Sequence, residues 1–427
     1  MMSFQRVFFC LIAALCLGTS VAGQNAGSIT AAALKTHVEK LADDKLEGRG
    51  GGYPGEKKAA DHIAAEFKRI GLKPVGTKGF FQEFRFQPYH PVKAWELMTS
   101  RNVLGVIEGS DPALKNEVVV IGAHYDGQGR TGQADPTRNT PDGNKDDIWN
   151  SANDNAAGVA AVIEIARALK NSKPKRTILF AAFGAEEHGM TGSIYYVNHP
   201  VFPLVNHVAM INLEKLGRSP EKQLTVAGVM SSKAWPALVG AAAKAENASV
   251  TPSPIAFPDS DHYPFGSRGL PAVMVYVSSN TDAHFPSDTA DKIDFKRAAE
   301  RARFAAGLLR QIADAPTRPD FVPSPMLDPG LIAHLATGAE IDAAGLPAGE
   351  GGLKVTGVIA GGPADVAGLR EGDLIIQMGA RKFAREEPLA NLMAAYQDML
   401  QGKMGVDIPL KLLRNKQSIN AALKLRP

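Results

Sequence analysis

The stretch Val118-Val119-Val120-Ile121-Gly122-Ala123-His124-Tyr125-Asp126 decides the fold. It begins with four apolar residues and no polar alternation, which is typical of a strand buried on both faces of a sheet. It ends with an imidazole and a carboxylate directly after that strand. Three later runs have the same apolar character, and they cover residues 177–180, 208–211 and 272–275.

Segments with helical spacing separate or flank these apolar runs. The predicted helices cover residues 29–41, 57–70, 158–169, 233–245 and 295–312. Buried strands that alternate with helices predict an α/β fold with a mostly parallel central sheet sandwiched by helices.

The 427 residues exceed what one hydrophobic core usually organises, so we expect two domains. Five prolines between residues 316 and 329 exclude a continuous helix or central strand there. We therefore predict a first domain at 27–315, a linker at 316–329 and a small β-rich domain at 330–427. In the latter we expect strands at 353–359, 374–378, 408–413 and 419–425, with a helix at 389–400.

Residues 1–23 resemble an export signal, with Arg6, an apolar stretch at 7–18 and small residues before a cleavage site. The expected mature protein is exported, to the periplasm or outside the cell, and has no membrane span. An alternative with Cys16 as a lipidated terminus is disfavoured by the bulky Leu15 before it. Because Cys10 and Cys16 both lie in this segment, a metal site in the mature chain would use nitrogen and oxygen ligands.

The formal net charge of +3 is small and scattered, so a nucleic-acid partner is not expected. A polar stretch at 128–149, rich in Gly, Pro, Asp and Asn, predicts a surface loop beside the site or simply an exposed loop.

Ligands of an open parallel sheet collect beyond the carboxyl ends of its strands. His124 and Asp126 emerge there two residues apart, and side chains at that spacing point the same way in extended chain. Asp126 could then accept a hydrogen bond from the far ring nitrogen of a metal-bound His124. The pattern is weak evidence for a metal site when it is taken alone.

Four other segments place metal-competent side chains just past apolar strands or in adjoining loops. Asp154 precedes a predicted helix, where it could cap the helix or bridge two metals. Glu186 and Glu187 follow the next strand, so one could bind metal while the other deprotonates a metal-bound water. Glu214 and His284 follow the last two strands. Each residue has an ordinary structural explanation, but their coincidence favours a metal site.

These segments resemble the co-catalytic di-zinc aminopeptidases of metallopeptidase family 28, over residues 29–312. Other short segments share in the resemblance: Leu46-Glu47-Gly48-Arg49, Gly192-Ser193, Ser260-Asp261-His262 and Pro286-Ser287-Asp288-Thr289. The resemblance implies two zinc ions per chain, with Asp154 bridging them. It implies His124 and Glu214 at one zinc, Glu187 and His284 at the other, Glu186 as general base and Asp126 as the partner of His124.

Two positions depart from the family pattern. Glu214 stands where the family typically has Asp, so its reach toward zinc is one methylene longer. Ala283 stands where relatives often have a tyrosine whose hydroxyl stabilises the oxyanion. That role would pass to zinc or to another group such as Tyr276 or Tyr263.

The C-terminal domain resembles a bacterial PDZ module through Gly362-Pro363-Ala364 and the segment 367–373. Such modules bind extended peptide ends by strand addition. A peptide ligand and an architectural or autoregulatory role both remain open.

The sequence thus predicts an exported aminopeptidase that removes residues from peptide or protein N-termini. Three alternatives remain. A glutaminyl-cyclase-like acyltransferase would usually hold one zinc. A carboxypeptidase would need a cationic pocket, for which Arg218 or Arg268 are candidates. A peptide-binding protein would act through the PDZ-like domain.

Overall fold

The structure is a computed structural model. It describes residues 28–88, 97–131, 133, 146–218, 224–254, 259–277, 282–322, 330–358, 361–379, 381–385 and 407–424. The predicted export signal, the end of the linker, the middle of the 128–149 stretch and the predicted helix at 389–400 lie outside these residues. Within the described ranges, no helix combines the length and apolar character needed to cross a bilayer.

The first part of the chain alternates helices and strands. Its helices are α1 (Ala31–Leu41), α2 (Pro54–Ile70), α3 (Ala157–Leu169), α4 (Thr191–Asn198), α5 (Trp235–Glu246), α6 (His262–Ser267) and α7 (Phe295–Asp314). Its strands are β1 (Lys73–Pro74), β2 (Phe81–Phe86), β3 (Met98–Ile107), β4 (Val118–His124), β5 (Gly129–Arg130), β6 (Ile148–Trp149), β7 (Thr177–Phe183), β8 (His207–Glu214), β9 (Leu224–Ala227), β10 (Val250–Ser253) and β11 (Ala272–Tyr276). The four predicted apolar strands and five predicted helices are confirmed.

Nine strands form one sheet in the order β1-β3-β7-β4-β8-β11-β9-β10, with β2 also paired to β3. The neighbours β7, β4, β8 and β11 run parallel. Pairing is antiparallel between β3 and β7 and between β11 and β9. The expectation of a mostly parallel sheet therefore holds at the centre, where the site lies, while the whole sheet is mixed.

Strand β4 shows why its sequence lacks polar alternation. Val119 and Ile121 belong to a core shared with α1, α2, α3, α5 and α7. Val118 and Val120 belong to a second core, which includes Tyr196 of α4 and Phe265 of α6. Both faces of the strand are covered by helices, so both sets of side chains must be apolar.

The C-terminal part has its own sheet and its own core. The strands are β12 (Leu331–Leu335), β13 (Leu353–Val358), β14 (Leu374–Met378), β15 (Arg381–Lys382), β16 (Asp407–Arg414) and β17 (Gln417–Lys424), with α8 (Gly338–Ala344) and α9 (Pro363–Val366). Val355, Ile375 and Leu410 lie in its core. The four predicted strands are confirmed, and the domain boundaries remain a prediction.

Candidate metal centre

The carboxyl ends of β4, β7 and β8 and two loops bring the predicted ligands together. Three groups of three residues could each hold a metal ion. Within each group, one imidazole nitrogen or carboxylate oxygen per residue lies within 4.8 Å of the others. The groups are His124 with Asp154 and Glu214, His124 with Glu186 and Glu187, and Asp154 with Glu187 and His284.

Asp154 lies at the centre of the cluster. Its Oδ1 is 3.4 Å from His124 Nε2, and its Oδ2 is 3.0 Å from His284 Nε2. Glu214 Oε1 lies 3.4 Å from the same His124 nitrogen, whereas Glu187 Oε2 lies 3.3 Å from the His284 nitrogen. The two oxygens of one carboxylate therefore face two different ligand groups, as a bridging ligand requires.

The turn at Ala152–Ala156 presents Asp154 to the cluster. The carboxylate of Asp288 accepts hydrogen bonds from the backbone N–H groups of Asn153 and Asp154, at 3.0 Å. Asn155 Oδ1 accepts from the backbone of Gly158, at the start of α3, at 3.2 Å. The capping role considered for Asp154 thus belongs to Asn155, which leaves the Asp154 carboxylate for the cluster.

Asp126 has a role beyond the one that the sequence predicted. Its carboxylate oxygens accept hydrogen bonds from the backbone N–H groups of Glu186 and Glu187, at 3.0 and 3.1 Å. His124 Nδ1 is 3.7 Å from the Asp126 carboxylate but 3.3 Å from its main-chain oxygen. Asp126 thus positions the turn that carries the two glutamates. Its carboxylate can accept further hydrogen bonds, so its pairing with His124 remains a prediction.

Glu56 supports the same turn from behind. Its fully buried carboxylate accepts hydrogen bonds from Ser100 Oγ at 2.5 Å and from the backbone N–H groups of Gly52 and Ala185. Burial raises the pKa of Glu56 to about 8. The sequence contained no obvious sign of this role. Glu56 lies at the start of α2, far along the chain from the segment that carries Glu186 and Glu187.

Glu214 is held by two side chains that the sequence analysis did not assign. Ser260 Oγ donates a hydrogen bond to Glu214 Oε2 at 2.7 Å, and Asn155 Nδ2 donates to the same oxygen at 3.3 Å. The other oxygen therefore faces His124. Glu214 reaches the cluster although the family pattern has a shorter residue there.

Lys215 is the unexpected member of the site. Its ammonium lies 3.3 Å from Glu214 Oε1 and 3.5 Å from Asp154 Oδ2. Burial opposes its charge, but these two carboxylates outweigh burial and raise the pKa of Lys215 above its ordinary value. Adjacent side chains of an extended chain point to opposite faces, so the position of Lys215 directly after Glu214 did not predict this contact.

The charges of the cluster indicate a cation-binding site. Four buried or mostly buried carboxylates, those of Asp154, Glu186, Glu187 and Glu214, face only two histidines and Lys215 in these contacts. Burial opposes the charged form of His124, yet Glu186 and Glu214 raise its pKa above the ordinary value. Burial also raises the pKa of Glu186. Asp154 Oδ2 is buried and makes no hydrogen bond within the described residues. A divalent ion with nitrogen and oxygen ligands fits this set.

The loop with His284 closes the other side of the site. Trp149 Nε1, at the base of the 128–149 stretch, donates a hydrogen bond to the His284 main-chain oxygen at 3.3 Å. Gln128 Nε2 donates to Glu187 Oε2. The two ends of the 128–149 stretch thus lie next to the cluster, as expected of a loop beside the site.

The two tyrosines proposed for the oxyanion occupy different surroundings. Tyr276 is partly exposed at the end of β11 and pairs in register with Glu214 of β8. Tyr263 is buried in α6. Tyr276 is therefore the better placed of the two, and its role remains a prediction.

Arg49 lies behind the loops of the site. Its fully buried guanidinium donates hydrogen bonds to four main-chain oxygens, of Leu41, Tyr125, Asn150 and Ser151. It joins the end of α1 to the segments that precede Asp126 and Asp154. The segment around Arg49 therefore serves as a structural connection.

Comparisons with known proteins find similarity to peptidases. Residues 102–309 match the model of Peptidase family M28. The chain is 28% identical over 246 residues to aminopeptidase YwaD of Bacillus subtilis, covering 54% of this chain and 49% of that protein. It is 31% identical over 166 residues to a probable zinc metalloprotease of Pyrenophora teres, covering 38% and 31%. The matched part of the chain thus spans about half or less of the length of these curated relatives.

Solved structures show the same fold. A zinc aminopeptidase from Bacillus subtilis, BSAP, superposes with a TM-score of 0.54 at 17% identity, covering 69% of this chain and 98% of that one. The Legionella pneumophila aminopeptidase LapA gives 0.53 at 19% identity, covering 69% and 74%. The chain therefore shares the α/β fold of these zinc aminopeptidases. Over residues 102–309, the chain is similar to peptidase family M28.

Proposed function

We propose that this protein is a metallo-aminopeptidase that binds two zinc ions and hydrolyses the first peptide bond of peptide or protein substrates. The observation that carries the proposal is the position of Asp154, whose two oxygens face His124 and His284 separately. Asp154, His124 and Glu214 would hold one ion, and Asp154, Glu187 and His284 the other. When bound, the ions would acidify a water and polarise the scissile carbonyl.

Glu186 is the proposed general base. Its Oε2 lies 3.8 Å from His124 Nε2, beside the ligands. Asp126 accepts the backbone N–H of Glu186 and of Glu187, so the base and the adjacent ligand are held in one rigid turn. Glu186 can therefore take a proton from a water in the cluster and pass it to the leaving amine.

The structure gives less support to a carboxypeptidase. Arg218 forms an ion pair with Asp282, and Arg268 donates a hydrogen bond to Asn198. Both guanidinium groups considered for a substrate carboxylate are thus already engaged. A free substrate N-terminus, which is cationic, suits a site rich in carboxylates.

Glu186→Gln tests the proposed base. The amide keeps the size of the side chain but cannot accept a proton, so we expect turnover to fall about 10³-fold while zinc content stays the same. Zinc per chain is measured by elemental mass spectrometry, and activity with aminoacyl anilides. Glu300→Gln, on the exposed face of α7, is the matched control. Full turnover in Glu186→Gln would contradict the assignment.

A single peptide, prepared with free ends, with an amidated C-terminus or with an acetylated N-terminus, tests which end of the substrate the enzyme cleaves. We expect cleavage of the free and C-amidated peptides and no cleavage of the N-acetylated peptide. The opposite pattern would establish a carboxypeptidase. Cyclisation of an N-terminal glutamine with one zinc per chain would establish an acyltransferase.

We further infer that residues 1–23 direct export and that residues 330–427 are a PDZ-like module. The support for the first is its sequence pattern. The support for the second is a separate sheet and core, together with the glycine-containing segments that resemble PDZ modules. N-terminal sequencing of the protein from the cell exterior or periplasm tests the first inference.

A further inference from the structure

A second group of potential metal ligands lies between the helices α1, α2 and α3. It consists of His37 on α1 with His62 and Glu66 on α2, and one ligand atom of each residue lies within 4.8 Å of the others. We propose that these three residues bind a divalent transition-metal ion, with zinc as the best fit, at a site separate from the proposed active site. The group shares no residue with the active-site groups.

Two imidazole nitrogens in this group are buried without a hydrogen-bond partner among the described residues. They are His37 Nδ1 and His62 Nε2. The two rings lie 6.0 Å apart between centroids and are tilted by 50°. Buried ring nitrogens normally find a partner, because an unsatisfied polar atom is costly. Two such atoms in one cluster indicate a ligand that the protein atoms do not supply.

The other nitrogen of His37 is oriented as in a metal-bound imidazole. His37 is only 4% exposed, and its Nε2 lies 2.9 Å from Glu164 Oε1 on α3. A carboxylate accepts the ring proton, which leaves the lone pair on Nδ1, directed away from Glu164. Metal-binding histidines usually donate their second N–H to a carboxylate in this way.

His62 and Glu66 complete the set from one face of α2. They are four residues apart, so their side chains are neighbours on the helix. Two imidazoles and one carboxylate form a common ligand set for zinc, and the partly exposed His62 and Glu66 leave a path from solvent.

Two arginines limit the affinity of this second site. Arg167 contacts both Glu66, at 3.0 Å, and Glu164, at 2.9 Å, and Arg69 Nε lies 3.1 Å from Glu66. A bound ion must share the Glu66 carboxylate with these guanidinium groups. We therefore expect weaker zinc binding here than at the carboxylate-rich active site, and a structural role that joins α1 to α2.

Zinc titration of the full chain tests the proposal. We expect the wild-type protein to bind one zinc more than His62→Gln does, with a rise in melting temperature that the variant lacks. Glu66→Gln should lose the same bound zinc ion, so the result does not depend on the folding of a single variant. His199→Gln removes an exposed histidine elsewhere and should bind like the wild type.

Asp154→Asn in the same assay separates this site from the active site. We expect it to lose active-site zinc but to keep the weaker equivalent that His62→Gln loses. Equal zinc content in wild type, His62→Gln and Glu66→Gln at all free zinc concentrations would overturn the proposal. That result would leave the proposed active site intact.

Discussion

Two clusters of histidine and carboxylate side chains in this protein differ in how their charge is balanced. At the sheet, Lys215 forms ion pairs with Asp154 and Glu214, and His284 lies beside Asp154 and Glu187. Between the helices, Glu66 and Glu164 are already paired with arginines. We therefore expect residue type alone not to rank the two proposed metal sites. The charge left uncompensated by the protein decides how strongly an ion is attracted.

The clusters also differ in how they are supported. The helix cluster rests on regular helical spacing, whereas the sheet cluster depends on loops held by buried hydrogen bonds. Replacing Arg49 with Met breaks that support, because four buried main-chain oxygens lose their donor. Each buried polar group left without a partner costs about 1–3 kcal/mol, and partial relaxation of the structure reduces the total. We therefore expect the free energy of unfolding to fall by about 3–5 kcal/mol.

Urea denaturation with a chelator present measures this change without the contribution of bound metal. Lys35→Met, at an exposed i,i+4 pair on α1, is the control and should change stability by less than about 1 kcal/mol. An Arg49→Met protein as stable as the wild type would show that these contacts are not the framework of the site.

Another buried imidazole, that of His207, shows what burial does to the pKa of a histidine without neighbouring carboxylates. Its ring lies 2.7 Å from the Tyr196 hydroxyl, and burial lowers its pKa from 6.5 to about 4. The unfolded chain therefore binds a proton between pH 6.5 and 4 that the folded chain does not, and stability is lost as pH falls through that window. The loss amounts to about 3 kcal/mol.

His207→Gln should flatten the dependence of unfolding free energy on pH between 6.5 and 4, relative to the wild type. Its amide can still contact Tyr196 but does not titrate. Chelator is kept present, and His199→Gln serves as the exposed counterpart. Identical pH slopes for wild type and His207→Gln would rule out a lowered His207 pKa.

Lys215→Met gives the smallest expected effect and tests the charge balance itself. Without the ammonium at 3.3 and 3.5 Å from Glu214 and Asp154, zinc no longer competes with a protein cation. We expect zinc affinity at the sheet cluster to rise by at least about 10-fold. Competition with a chelator of known affinity measures it, and Lys292→Met, which removes an ammonium paired with Asp282, is the control. Unchanged affinity would show that Lys215 does not oppose the ion.

Much of the sheet site could be predicted from sequence, because a buried strand is recognisable from its own short run of apolar residues. Unbroken apolar runs marked β4, β7, β8 and β11, and the residues that follow them were expected at one edge of the sheet. His124, Asp154, Glu187, Glu214 and His284 do lie together there. The interpretation of Asp126 was incomplete, because the amides that occupy its carboxylate are 60 and 61 residues away.

The helix cluster was not predicted at all. His37 and Glu164, which are 127 residues apart, follow no local pattern that differs from an ordinary amphipathic helix. Similarly, no periodicity shows that Lys215 turns toward Asp154 or that Ser260 holds Glu214. The sequence by itself determined the α/β class, the central strands and the identity of the candidate ligands, since these depend on residue type and spacing along the chain. Only the tertiary structure decided which oxygen faces which imidazole and which carboxylates keep their charge uncompensated, because those depend on contacts between distant segments.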